Sequence, residues 1–297
     1  MLFAVLAIVS YVLQNTYCKE YGRKFPDTLY AQAAMTVFSV IIVTIIMALL
    51  GGMQAISLKA HLITGIFGIF FVMTLCSMTL ALGCGHTGIT LLIQNSSLIV
   101  PTIVGLLIWN EKLTAFKGVG VILILIMLFL SSGDGSAPAD PAARANWNKK
   151  RWFIFTAMSF IGDSTLNILQ KLMALECESI SSPTFTFWTS LYSLIAAMVI
   201  VVFCRMRGEG GSLIKTRKDK IDFAVCCGAI GLGTAGGNAY LILALTQLPS
   251  VVTFPLQQGG VVLLMWLVGV IIYREKVTRR GLAMLVTGLA GIVLLNL

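Results

Sequence analysis

Apolar residues gather in ten long runs, at about 2–18, 28–50, 61–82, 87–108, 116–132, 152–174, 184–204, 223–245, 250–272 and 281–297. A helix needs roughly 20 mostly apolar residues to cross a hydrocarbon core of about 30 Å, and each run comes close to that. Glycine and proline breaks or short polar loops separate most of them. None alternates with the period of two that marks a barrel strand. Backbone in lipid must satisfy its own hydrogen bonds, so the pattern predicts an all-α membrane protein of ten transmembrane helices. The first run opens without a basic leader or a small-residue cleavage site and reads as a retained helix.

The polar punctuation repeats. Residues 109–114 read WNEKLT and residues 273–278 read YREKVT, each at the end of an apolar run. Sliding from 109 to 273, a shift of 164, also brings Gln94 onto Gln258, Gly105 onto Gly269 and Glu111 onto Glu275. A shift of 152 brings Asn15 onto Asn167 and Lys19 onto Lys171. The chain therefore divides into a five-helix repeat at 1–132, a polar linker at 133–151 and a second five-helix repeat at 152–297. Five is odd, so the second repeat enters the membrane from the opposite side, and the two Glu-Lys corners are expected on opposite faces. Inverted repeats of this kind underlie alternating access in transporters.

The segments GLLIWNEKLTAFKGVGVILI and GVIIYREKVTRRGLAMLVTGLAGIVLL, with the five-plus-five order of spans, resemble the drug/metabolite transporter superfamily, in particular its ten-helix EamA-type members. The resemblance covers essentially the whole chain. It implies a secondary transporter for small metabolites, amino acids, nucleotide-sugar-like solutes or drugs. The small four-helix members of that superfamily carry a proton-exchanging glutamate in their first helix, whereas run 2–18 here holds no acidic residue.

Composition agrees with a membrane protein: 58% of residues are hydrophobic and 11% charged, against about 25% charged in ordinary soluble chains. The net charge of +9 would suggest nucleic acid in a soluble protein, but here the basic residues sit in loops, where lipid headgroups and topology account for them. No DNA- or RNA-binding motif is present. Lys and Arg crowd the loops after the first, fifth, seventh and ninth runs, against Lys59, Lys112 and Lys117 in the even-numbered loops. The positive-inside rule then places both termini outside the cell, whereas the resemblance implies both inside. The seven cysteines lie mostly within apolar runs and lack metal-ligand spacing, so they read as small hydrophobes.

Polar groups within the spans are the candidates for chemistry, since a charge at a helix centre costs about 2.5–3.5 kcal/mol on insertion scales. Asp163 lies near the middle of the sixth run and shares a helical face with Asn167 and Gln170. It is the candidate for proton or cation coupling, against a structural reading as a hydrogen-bonded carboxyl. Tyr11, Asn15 and Cys18 repeat the stripe in weaker form on the first run, with Lys19 one turn beyond Asn15. Lys19 and Lys171 either snorkel to headgroups or bind an anionic solute group. Gln94 and Gln258 open matching stripes that end in glycine, with Asn95 and Gln257 beside them. Such amides either hold helices together or bind a polar, net-neutral solute. Pro101 and Pro255 are placed to kink these helices and free carbonyls. Gly233 and Gly237 make a small-residue face for close helix packing. Asn238, Tyr240 and Trp188 complete the candidate cavity residues, while His61 and His86 take no role.

The expected activity is transport of a small polar metabolite or amino-acid-like solute across the plasma membrane by a multi-pass permease that works as a monomer. The alternatives are a proton-coupled exporter of amphipathic cationic drugs, and a receptor or assembly subunit without flux. No catalytic set, cofactor motif, metal site or ATP-binding element is legible.

Overall fold

The computed structural model describes residues 1–26, 28–84, 90, 93–111, 114–131, 149–176, 180–209, 211, 213–214, 216–272 and 279–295. These residues form ten helices and no strand. They are α1 Leu2–Lys24, α2 Leu29–Met47, α3 Leu58–Cys84, α4 Ile93–Leu107, α5 Ala115–Ser131, α6 Lys149–Glu176, α7 Ser182–Met206, α8 Arg217–Gln247, α9 Ser250–Ile271 and α10 Arg279–Leu295. Seven of them (α1–α3 and α6–α9) are long and apolar enough to cross a membrane. The three others have fewer than 18 described residues: at 1.5 Å per residue, the 17 residues of α5 or α10 span about 25 Å.

Local chemistry sets the helix starts. Thr28 and Ser181 cap α2 and α7 by accepting from the Ala31 and Thr184 amides, and Pro183 sits in the first turn of α7, where its missing N–H costs nothing. Thr216 and Asp219 form a reciprocal capping box, which starts α8 six residues ahead of its apolar run. After α2, a π turn at Ala48–Gly52 ends with Gly51 at a φ of 83°, a left-handed conformation that glycine adopts freely.

The 31-residue α8 serves as a ruler for direction. Lys24, at the end of α1, pairs with Asp222 near the start of α8 at 3.0 Å. Lys171, near the end of α6, donates to the Leu245 carbonyl in the last turn of α8 at 3.3 Å. The helices α1 and α6 therefore run in opposite directions. One end of the bundle gathers the finish of α1 and the starts of α6, α8 and α10, with Arg23, Lys24, Arg151, Arg217 and Arg279. This will be called the basic end. The opposite end carries Glu111 and Lys171.

Packing follows a rule. Contacts of α1 with α8 and of α3 with α6 exchange when five is added to the helix number, modulo ten. The same holds for α3–α7 with α2–α8, and for α1–α9 with α4–α6, while α2–α7, α4–α9 and α5–α10 map onto themselves. The contacts of α9 with α5 and α10, and of α6 with α8, have no counterpart of similar extent among the described residues. Close contacts rely on glycine. A Cβ on Gly233 would lie 2.6 Å from the Ser10 carbonyl oxygen of α1, and one on Gly237 would lie 2.7 Å from the Tyr11 ring. The expected small-residue face of α8 is therefore the seat of α1.

Candidate functional site

Tyr11, Asp163, Asn167, Gln170 and Asn238, five of the polar side chains expected to line a cavity, meet where α1, α6 and α8 converge with Ser97 of α4. Pro101 has no N–H to give to the carbonyl four residues back, so Ser97 O, within a 3-10 turn at Ser96–Leu98, lacks its i+4 donor and takes the Ile99 amide instead. That carbonyl accepts from Ser164 Oγ at 3.2 Å, a hydroxyl it shares with Phe160 O. The Ser97 hydroxyl in turn donates to Asp163 Oδ2, and the Asn167 side chain bonds the same carboxyl. Asp163 is partly buried, and no described cation approaches it to ion-pair distance.

One turn further along α6, Gln170 Nε2 donates to Asn238 Oδ1 at 3.1 Å. Tyr11 donates to the same oxygen at 2.8 Å, and its ring rests on Gly237. Asn238 also borders a small cavity of about 10 Å³ between α2, α3, α7 and α8, lined by Thr186, Thr189, Ser190, Ser193 and Thr234. That is room for about one water. A second amide pair bridges the two halves of the chain, with Gln258 Nε2 donating to Asn95 Oδ1 at 3.1 Å.

Other candidates lie apart. Asn15 and Lys19 are exposed on α1 and are not part of this cluster. Gln94 Oε1 is buried and finds no partner. Gln257 is buried on α9 without a side-chain hydrogen bond among the described residues, and Tyr240 stacks on Phe3 with centroids 6.4 Å apart. Trp188 donates its indole N–H to Gln54 O at 3.0 Å. It also meets His61 edge to face at 4.6 Å, at the rim of the bundle. His61 further contacts the Tyr192 hydroxyl at 3.1 Å. His86 and the hexapeptide at 273–278, with Glu275 in it, lie outside the described residues.

Lys171 does not reach for headgroups. It is buried and pairs with Glu111 at 3.1 Å. Glu111 was legible in the sequence only as part of a repeated hexapeptide, yet it forms a junction between the two halves of the chain. Its Oε1 accepts from the Ser250 amide at 2.8 Å, and its Oε2 from the Ser250 hydroxyl at 2.7 Å and the Val251 amide at 2.9 Å. The carboxylate of the first half thus caps helix α9 of the second, where free N–H groups and the helix dipole favour an anion.

Asn110, at a φ of 50°, turns the chain back after α4, and the Glu111 amide returns to Gly105 O at 3.0 Å. A Cβ on Gly105 would lie 2.6 Å from Ser250 Oγ and 2.8 Å from Glu111 Oε2, so only glycine lets the junction close. Burial pushes the Glu111 carboxyl up, but the two amides, the Ser250 hydroxyl and the Lys171 ammonium outweigh it and hold the group below its ordinary value. Beside it, Glu111, Lys171, Ala174, Leu245 and Gln247 line an open cavity of about 510 Å³.

No protein-family model and no curated protein matches the sequence. Among solved structures, a crystal structure of another protein superposes on 99% of this chain and 98% of its own, with a TM-score of 0.75 and 12% sequence identity. At that identity the likeness is one of fold.

Proposed function

We propose that this chain is a secondary transporter, a multi-pass permease of the plasma membrane that moves a small polar metabolite or amino-acid-like solute by alternating access. The observation that carries this reading is the polar cluster of Tyr11, Ser97, Asp163, Asn167, Gln170 and Asn238, held where four helices of an otherwise apolar bundle meet. Polar groups inside a lipid-embedded bundle are costly, and they face its interior when they serve a solute or ion. The antiparallel courses of α1 and α6, and the packing rule that adds five to each helix number, support two inverted five-helix repeats around that cluster. The EamA-type resemblance of the Glu-Lys corners points the same way.

A second reading has its own observation. Asp163 is a carboxyl among neutral partners, as a proton-coupled exporter of amphipathic cations requires. Purified protein in proteoliposomes separates the two. Saturable uptake with counterflow of a polar metabolite supports the first. Export of a cationic dye that depends on a pH gradient and is lost in Asp163→Asn supports the second. Absence of flux for any solute in a broad screen would leave a receptor or assembly role.

A further inference from the structure

Two contacts set the course of the chain at 90–97 along α6. At the basic end, the Trp152 indole N–H donates to Thr90 Oγ1 at 2.8 Å. Seven residues on from Thr90, and eleven on from Trp152, the Ser97 hydroxyl donates to Asp163. Both residue numbers rise in the same direction, so the helices run side by side in parallel. Trp152, Thr156, Ser159 and Asp163 are spaced four, three and four apart and share one face of α6. Gln94 lies between Thr90 and Ser97 in the chain, and Thr156 and Ser159 lie between Trp152 and Asp163 on α6, so all three fall in the stretch, or seam, between the two anchors.

These three are the orphans of the region. Gln94 Oε1, Thr156 Oγ1 and Ser159 Oγ are all buried and have no hydrogen-bond partner among the described residues, and the last two residues are 2% and 0% exposed. Neighbouring α3 offers no relief. Its Thr74 and Ser77 hydroxyls donate to Phe70 O and Met73 O of their own helix. Buried polar atoms left unpaired cost about 1–3 kcal/mol each, and native proteins fill such places with water that has two to four polar partners. A row of orphan oxygens leading from one membrane-facing end to a carboxyl is the arrangement that would hold a file of waters.

We propose that this seam is a hydrated proton path from the basic end of the bundle to Asp163, with Thr156, Ser159 and Gln94 as its water-holding groups. The proposal rests on the transporter reading for its purpose, and it names the proton as the coupling ion. A proton from bulk water enters beside Trp152 and passes along the waters held by the seam oxygens, each water accepting one proton and releasing another. It ends on the Asp163 carboxylate, which becomes the neutral acid. Among the described residues, the groups around Asp163 are compatible with that end point. Ser97 comes from α4, Asn167 from its own helix and Thr74, beside Gly162, from α3, and all are neutral. Tyr11 is the ionisable group that faces it from α1. Lys171 lies two turns further along α6, tied to Glu111. A metal cation would require more oxygen ligands than one carboxylate with a serine and an asparagine provides.

The test is the relaxation of the Asp163 carboxyl after a pH jump, followed by infrared spectroscopy on the full chain in lipid nanodiscs. The signal is identified as the protonated-carboxyl band that disappears in Asp163→Asn. Thr156→Val, which keeps shape and removes the hydroxyl, Ser159→Ala and Gln94→Leu should each slow protonation roughly tenfold, equivalent to about 1.4 kcal/mol of barrier, with the titration midpoint unmoved. Thr156→Ser should restore the rate. Ser39→Ala, which removes a buried orphan hydroxyl on α2, should leave it unchanged. Unaltered rates in all three seam variants would overturn the path, as would a band that survives Asp163→Asn. The measurement needs no solute. A seam-dependent rate without any flux would reject the transporter reading and keep the path, and flux with seam-independent rates would do the reverse.

Discussion

Glu111 takes three hydrogen bonds and one ion pair from groups on two other helices, so its removal leaves more than an empty place. In Glu111→Gln the Lys171 ammonium stays buried without its anion, and breaking a buried pair from one side costs about 3–5 kcal/mol. Lys171→Met should cost less, because the carboxylate keeps its amide and hydroxyl donors at the start of α9. The double variant should recover part of the loss, and thermal unfolding of all three in detergent would show it. The pH dependence has a fixed sign. A carboxyl held below its ordinary value of 4.5 stabilises the fold fully above that value, and this contribution disappears as the pH falls through its lower folded value. Wild type should lose stability on acidification in that range, and Glu111→Gln should lose less. Asp163, Asn167 and Gln170 were legible in the sequence because a 3.6-residue stripe is visible in one dimension. The Glu111–Lys171–Ser250 junction was not, since partners 60 and 139 positions apart leave no local periodicity.

At the scale of the helix, hydropathy located all ten elements but set some of their limits poorly. It read 87–108 as one continuous span, because Ser96, Ser97 and Pro101 are too few to lower its average. In the folded chain, the same residues create a 3-10 turn and a carbonyl without its i+4 donor, and that defect positions Ser97 on Asp163. It also began the eighth helix at 223, although the Thr-x-x-Asp box at 216–219 starts it at Arg217. Glycines of α8 allow a direct check on the packing. An alanine at Gly233 would press its Cβ on the Ser10 carbonyl oxygen and the Gln14 amide nitrogen, both backbone atoms of α1 that move only with the whole helix. Gly233→Ala should therefore destabilise by about 1–3 kcal/mol. A Cβ at Gly228 meets nothing within 4 Å, so Gly228→Ala should stabilise by up to about 1 kcal/mol through helix propensity. Opposite shifts in unfolding temperature for the two variants are the expected result, and equal shifts would mean that α1 does not sit on this face.

For the molecule as a whole, the arrangement of ends makes a prediction about the membrane. Phe3 stacks on Tyr240 near the end of α8, and Gly291 and Leu295 of α10 pack against Gly120, near the start of α5. Both contacts lie at the end of the bundle that carries Glu111. The described Lys and Arg residues crowd the other end, where Arg205 contacts Tyr30 and Arg280 contacts the Leu130 carbonyl. Each basic residue near an anionic cytoplasmic leaflet is worth about 1 kcal/mol, so many on one end and few on the other decide which end is retained inside. Small epitope tags joined to either terminus should therefore be labelled on intact cells, and a tag inserted at 133–148 only after permeabilisation. Termini on opposite sides of the membrane would contradict the antiparallel course of α1 and α6 and with it the inverted repeat. Both termini inside, with the linker outside, would preserve the repeat and reverse the charge assignment, making the mouth of the α4–α6 seam extracellular. In that case the proton that reaches Asp163 would enter from outside, and the direction of any gradient-driven transport would turn with it.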